Sequence, residues 1–243
     1  MNEIVEKIQE KGYWRVVIRP TREFYNEKTF ELNELTKILQ DAQVRLRGWY
    51  YPHIHEPQVV AQNKIGESVD YEGLIEYWEF STAGHFGHIF SMREDYIIDE
   101  QNATKIKSSF PFSKDKASPV SKFFEVVSTI YRFTEIYFFV SKLVQSPKFQ
   151  DVGKFEIIIE LHGVKDRMLY ISDTFRNLWQ PYVCAIPDDK IIFNQKYDKD
   201  ELIAKFDTIA LSRLIDTFKY FNWPDPSEQV IREDQKKLLE RRL

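Results

Sequence analysis

Hydrophobic and polar positions recur along this chain with two different periods, and the switches between them predict its elements. Residues 2–10 place Ile4, Val5 and Ile8 on one side of a short amphipathic helix, and Tyr13 to Arg19 reads as a strand. Residues 30–41 return to helical spacing through Phe30, Leu32, Leu35, Ile38 and Leu39. Val44 to Tyr51 then alternates as a strand, with Val44 and Leu46 on one face and Arg45 and Arg47 on the other. It runs into Pro52 and an irregular segment that reaches about residue 72.

A hairpin follows, in which Leu74 to Phe80 goes out, Ser81-Thr82-Ala83-Gly84 turns, and His85 to Met92 returns. Residues 99–118 are polar and predict an internal loop. Ser118 and Pro119 suit the opening of a long helix over 119–145, because serine caps free amides and proline fits the first turn. Its stretch from Ile130 to Val140 is apolar nearly all round, which predicts a buried central helix, and Pro147 supplies a stop. Strands are predicted over Phe155 to Leu161, over Arg167 to Ile171 after a turn at Gly163, and over Ile191 to Gln195. Two helices finish the chain, signalled by Asp198 with Glu201 and by Asp225 with Glu228, with Pro226 in the first turn of the second. Lys236, Lys237, Arg241 and Arg242 lie where positive charge complements a helix C-terminus. The order predicts an α+β fold, with mixed or antiparallel sheets packed around a long central helix and a C-terminal helical pair. Residues 1–243 are expected to form one domain, or lobes 1–112 and 113–243 that meet at the long helix.

Composition sharpens this picture in three ways. The 19 Phe, 13 Tyr and 5 Trp make 15% of the chain aromatic, so a ring-filled core is expected. A net charge of −4 gives no overall basic field for nucleic acid or an anionic membrane, so any such contact needs a local patch. The one cysteine, Cys184, excludes an internal disulfide and a cysteine-rich zinc site, and it suits a reducing cytoplasm. Its surroundings, Tyr182-Val183-Cys184-Ala185-Ile186, suit a small buried thiol better than a nucleophile. The N-terminus lacks a basic start with an apolar core, and the most apolar helix carries Arg132, Glu135 and Lys142. A soluble, cytoplasmic protein with no membrane contact is the expectation.

Candidate chemistry concentrates in Arg45-Leu46-Arg47-Gly48-Trp49-Tyr50-Tyr51-Pro52-His53-Ile54-His55, an aromatic corner bearing arginines and two histidines. Aromatic and arginine side chains are enriched where proteins bind, so Arg45, Arg47, Trp49, Tyr50, Tyr51 and His53 form the expected binding surface, with the 85–88 arm beside it. Arg15 and Arg19 on the first strand could join Arg45 and Arg47 as a basic stripe that grips phosphates, while the rings stack bases. The plainer alternative pairs those arginines with the many nearby glutamates.

His53, His55, His85 and His88 are four of the five histidines. Neutral imidazoles bind zinc, nickel or divalent iron, and Glu56 or Asp95 would complete a site for a metal-bound water. Against this, H-E-x-x-H is absent, and His85 and His88 face opposite sides of an extended strand. Glu76 and Glu79 with Glu94 and Asp95, or Glu156 and Glu160 with Asp166, offer paired carboxylates, but strand-face glutamates are usually solvated. No glycine-rich phosphate loop occurs, so no nucleotide or other cofactor is expected.

The succession Val44-Arg45-Leu46-Arg47-Gly48-Trp49, Pro52-His53-Ile54, Glu76-Tyr77-Trp78, Phe86 to Phe90, Met92-Arg93-Glu94-Asp95 and Ile231-Arg232-Glu233-Asp234-Gln235 resembles a poorly characterised bacterial family. Its members are stand-alone proteins and regions C-terminal to Schlafen-type ATP-binding domains. The resemblance covers most of the chain, without the ATP-binding portion, and brings no catalytic residues with it. It implies a companion module in bacterial regulation or antiviral defence. The expected function is therefore a non-catalytic interaction module for a protein partner or nucleic acid. The alternatives are a metal-dependent hydrolase or nuclease built on the histidines, and a structural subunit that forms homo-oligomers through exposed rings.

Overall fold

The computed structural model describes residues 2–108, 110, 120–173 and 176–242. The elements of the first half are α1 (Asn2–Gln9), β1 (Tyr13–Pro20), α2 (Leu35–Ala42), β2 (Val44–Arg45), β3 (Tyr50–Tyr51), β4 (Gln58–Ala61), β5 (Lys64–Tyr71), β6 (Leu74–Ser81) and β7 (Phe86–Ser91). Two short helices, α3 (Glu94–Ile97) and α4 (Glu100–Ser108), lead on to β8 (Lys122–Glu125) and the central helix α5 (Val126–Leu143). The chain ends with β9 (Lys154–His162), β10 (Arg167–Tyr170), β11 (Lys190–Asp198), α6 (Lys199–Ala204), α7 (Phe206–Tyr220) and α8 (Glu228–Leu239).

Seven strands form one antiparallel sheet in the order β11-β9-β1-β7-β6-β5-β4. Period-two alternation sorts its faces. Trp14, Val16 and Ile18 of β1 lie beside Phe86, His88 and Phe90 of β7, and all point to the same buried side. Phe155, Ile157, Ile159 and Leu161 of β9 continue that face. α5 crosses it, and rings make the joint: Phe133 meets Trp14 edge-on at 5.1 Å, and Phe139 packs on Phe86 at 4.9 Å. α2, α7 and α8 close over the rest of α5. On the other face of the sheet, Ile8 of α1 packs with Ile75, Tyr77 and Ile89, and Ile4 and Val5 lie against this small cluster. The two expected lobes share this sheet, since β9 and β11 complete strands from the first half. Among the described residues no helix is long and apolar enough to cross a membrane.

The α+β class, the central helix and the C-terminal helices are as expected, but several boundaries differ for physical reasons. The 44–51 strand is two dipeptide strands, because Gly48 at φ 93° folds the chain back on itself. The segment expected to be irregular contains β4 and β5, and part of the polar 99–118 loop is helix α4. Ser118 and Pro119 lie outside the described residues; the long helix begins later, at Val126, where the Glu125 side chain accepts the Ser128 amide. Phe123 and Phe124 before it belong to β8, which pairs in parallel with β10. The cap of the last helix is Ser227, not Asp225, and the expected helical pair is three helices because helical geometry is interrupted at Lys205.

A second constraint ties the β7–α3 corner to β10. Arg167, fully buried, donates to Asp95 at 2.7 Å and to the Phe123 carbonyl at 2.9 Å, and Asp95 also accepts the Gly12 amide at 2.8 Å. A Cβ on Gly12 would stand 2.0 Å from Arg167 Nη2, so only glycine admits the guanidinium there. Removing one member of a buried pair strands the other charge. Asp95→Ala should therefore cost about 3 kcal/mol or more in urea unfolding, whereas Lys37→Ala, which breaks an exposed pair with Asp41, should cost about 0.5 kcal/mol or less. Equal losses for the two variants would refute this ranking.

Candidate functional site

The corner at 44–55 sits over the middle of α5 because one charged pair draws it there. Arg47 donates through Nε to Glu135 Oε1 at 2.9 Å and through Nη2 to Oε2 at 2.7 Å, and the Glu135 side chain is only 1% exposed. This planar two-bond match is the geometry that guanidinium and carboxylate prefer. Lys142 of α5 donates to the Gln43 carbonyl, and Gln43 Nε2 to the Pro52 carbonyl, so both ends of the corner are tied down. With Arg47 drawn inward, the rings divide. Tyr51 is buried, Trp49 is half-buried beneath the Arg47 guanidinium, and Tyr50 stays exposed with Arg45 over its ring at 5.2 Å.

The expected basic stripe does not form. β1 and β2 are in different sheets, Arg15 pairs with Glu160 at 2.7 Å, and Arg19 pairs with Glu156 at 2.6 Å. The 85–88 arm does not join the corner either. His88 points into the core, while His85 tilts against Tyr25 and lines the opposite face with Arg19 and Lys64.

The four histidines separate accordingly. His55 is exposed, with Nε2 3.8 Å from Glu56, and Asp95 is committed to Arg167. Only His53 and His88 converge, and they converge on a carboxylate. Glu76 Oε1 lies 3.0 Å from His53 Nδ1, Glu76 Oε2 lies 3.2 Å from His88 Nε2, and His88 Nδ1 lies 3.3 Å from the Tyr51 hydroxyl. A neutral His88 with its proton on Nε2 satisfies both neighbours, donating to Glu76 and accepting from Tyr51. Among the described residues no group of three or more His, Cys, Asp or Glu is arranged to hold a metal ion.

Burial by itself would raise the Glu76 carboxyl; hydrogen bonds from His53 and His88 outweigh it and hold the group far below the usual carboxylate range. The bond to Glu76 raises His53, and burial lowers His88. A row of polar groups thus runs from half-exposed His53 through Glu76 and His88 to Tyr51, inside a core of rings.

Next to it, between the corner and the start of α5, opens a cleft of about 220 Å³. Its apolar lining includes Trp14, Phe90 and Phe124, with exposed Tyr71 and Ile97 among its residues. Along the first two turns of α5 the polar lining passes from Glu125 to Arg132, joined by Glu94 near one end and by Arg47 and Trp49 near the other. Glu125 accepts the Ser172 amide at 2.9 Å and the Ser172 hydroxyl at 3.1 Å besides the Ser128 amide. Glu94 accepts the Glu125 amide at 3.0 Å, and burial raises its carboxyl. Cys184 is fully buried, and burial raises its thiol, which fits the inert reading.

Glu76 reads in the sequence as a solvated strand-face acid, and Arg132 and Glu135 read only as charges that oppose membrane insertion. The available signal was the position of those two charges in a helix apolar all round, since a charge retained there needs a partner. No family model matches the chain, and no curated protein or solved structure is significantly similar to it.

These shifts predict opposite pH behaviour for two imidazoles on one carboxylate. The contribution of His53 is complete below its unfolded value near 6.5 and is lost as pH rises through its higher folded value. That of His88 is complete above 6.5 and is lost as pH falls through its lower folded value. Histidine ring NMR should place the His53 midpoint above 6.5 and that of His88 below it, and Glu76→Gln should bring His53 back toward 6.5. Identical midpoints in the wild-type chain, or a His53 midpoint unmoved by Glu76→Gln, would contradict the assignment.

Proposed function

We propose that this chain is a non-catalytic interaction module that docks a protein partner through the outward side of the 45–55 corner. The carrying observation is that Arg45 stacked on Tyr50 stands at the surface on a base held by the buried Arg47–Glu135 pair. Rigid aromatic and arginine contacts bind well because little freedom remains to be lost when a partner arrives. Arg45 has no carboxylate partner among the described residues, so an acidic or carbonyl-rich segment is the complementary surface.

A protein is favoured over nucleic acid because Arg15, Arg19 and Arg47 are each engaged by a glutamate and the chain carries net negative charge. The single buried thiol suits a reducing compartment such as the cytoplasm. In the setting that the Schlafen-associated resemblance implies, the partner belongs to bacterial regulation or antiviral defence.

Quantitative affinity purification should show partners of the tagged chain reduced about tenfold or more by the double variant Arg45→Ala/Tyr50→Ala, with an unchanged circular dichroism spectrum. Undiminished partners would refute this face as the docking surface. Retention of single-stranded nucleic acid by the wild-type chain, lost in the variant, would replace the protein partner with nucleic acid.

A further inference from the structure

Two guanidinium groups and a single carboxylate are enclosed together beside the cleft. Arg47 and Arg132, whose side chains are 10% and 15% exposed, both approach Glu135. Arg47 takes both carboxylate oxygens, leaving Arg132 Nη1 3.7 Å from Oε2 and without a hydrogen bond among the described residues. Among the described residues no carboxylate other than Glu135 lies within 4 Å of this second cation. Glu76 is held by His53 and His88, Glu125 by amides and a hydroxyl, and Glu94 by the Glu125 amide. The Arg132 guanidinium rests over Phe90 at 4.7 Å, which offsets only part of its lost hydration. Burial and the nearby Arg47 lower its pKa, and Glu135 and Glu76 offset this only in part.

A second observation points the same way. Trp49 lines the cleft, and its indole Nε1 is buried with no acceptor. Such an unmet donor is costly, and a ligand acceptor reached by a small ring adjustment would satisfy it. Trp49 Nε1 and the Arg132 guanidinium are thus donors beside the cleft that have no hydrogen-bond acceptor among the described residues.

From this we infer that the cleft binds a small organic monocarboxylate with an aromatic or apolar body. Arg132 clasps the carboxylate, and the body lies on Trp14, Phe90 and Phe124. A carboxylate presents two coplanar acceptors to a guanidinium such as that of Arg132. The volume of about 220 Å³ accommodates one ring system with a short linker. This goes beyond the docking proposal, since the cleft lies behind the outward side of the corner and its occupancy needs no partner protein. A free acid and the C-terminal residue of a peptide present the same group.

Calorimetric titration of the full chain tests it, with 3-phenylpropionate and indole-3-acetate against their primary amides and phenyl phosphate. A short peptide ending in Phe, as free acid and as amide, is the second arm. The acids should bind saturably and at least about tenfold more tightly than the amides, a difference of about 1.4 kcal/mol. Arg132→Gln should abolish that preference. Tighter binding of the small acids assigns the site to a free ligand, and tighter binding of the peptide acid assigns it to a chain terminus; either keeps the carboxylate. Should Arg132→Gln fail to fold, Ser128→Phe serves in its place: it is exposed, lines the cleft, and should abolish binding with the melting temperature preserved. Equal binding of acids and amides, tighter binding of phenyl phosphate, no binding up to about 10 mM, or unchanged affinity in Ser128→Phe would overturn the inference.

Discussion

The architecture around the corner depends on pairing one carboxylate inside the protein. Glu135 lies buried in the middle of the central helix, and an unpaired charge there would be costly. Arg47 meets it with two parallel hydrogen bonds, and this demand brings the short 44–51 hairpin down onto the helix. The other features of the site follow. Trp49 is half-buried against the inward-drawn arginine while Tyr50 stays exposed, Tyr51 packs on Phe139 of the helix and reaches His88, and a cleft is left between the hairpin and the first turns of α5.

The interior is therefore two materials in contact. Most of it is aromatic and aliphatic packing on one sheet face, from Trp14 and Phe90 to Phe193 and Phe218. Through it passes a polar seam, from His53 by way of Glu76, His88 and Tyr51 to the ring on which Arg132 partly rests, and on to Glu135 and Arg47. Polar groups enclosed this way are strongly coupled, because low surrounding polarity magnifies each interaction and each vacancy. The seam supplies specificity of arrangement, since a slip of one residue in β6 would turn Glu76 to the other face and Tyr77 toward the helix.

Much of the framework was legible in the sequence because it rests on periodicity. The β6–β7 hairpin, the isoleucine-rich β9 and the all-apolar centre of α5 were recognisable, since burial on one or all sides imposes a regular spacing. Elements decided by single residues or distant contacts were not. Gly48 splits an apparently continuous strand, and β8 forms only because β10 lies beside it. Glu125 takes the capping role that serine and proline upstream had suggested for themselves. At the site, the corner was visible by composition. The convergence of His53 with His88 was not, because it runs through Glu76, whose facing is set by the register of β6 with β7. Same-parity arginines looked alike on paper; the glutamates of β9 claim two of them, and the glutamate of α5 claims a third.

The strand order carries a consequence for biosynthesis. β1 lies between β7 and β9, and Arg15 reaches Glu160 across 145 residues of chain. During translation, one rim of β1 has no mate until the ribosome has delivered that entire stretch, although β4 to β7 are already available as a meander. The nascent chain must hold an incomplete, ring-rich ribbon with an open rim for that interval. This is the stage at which chaperone protection would count most.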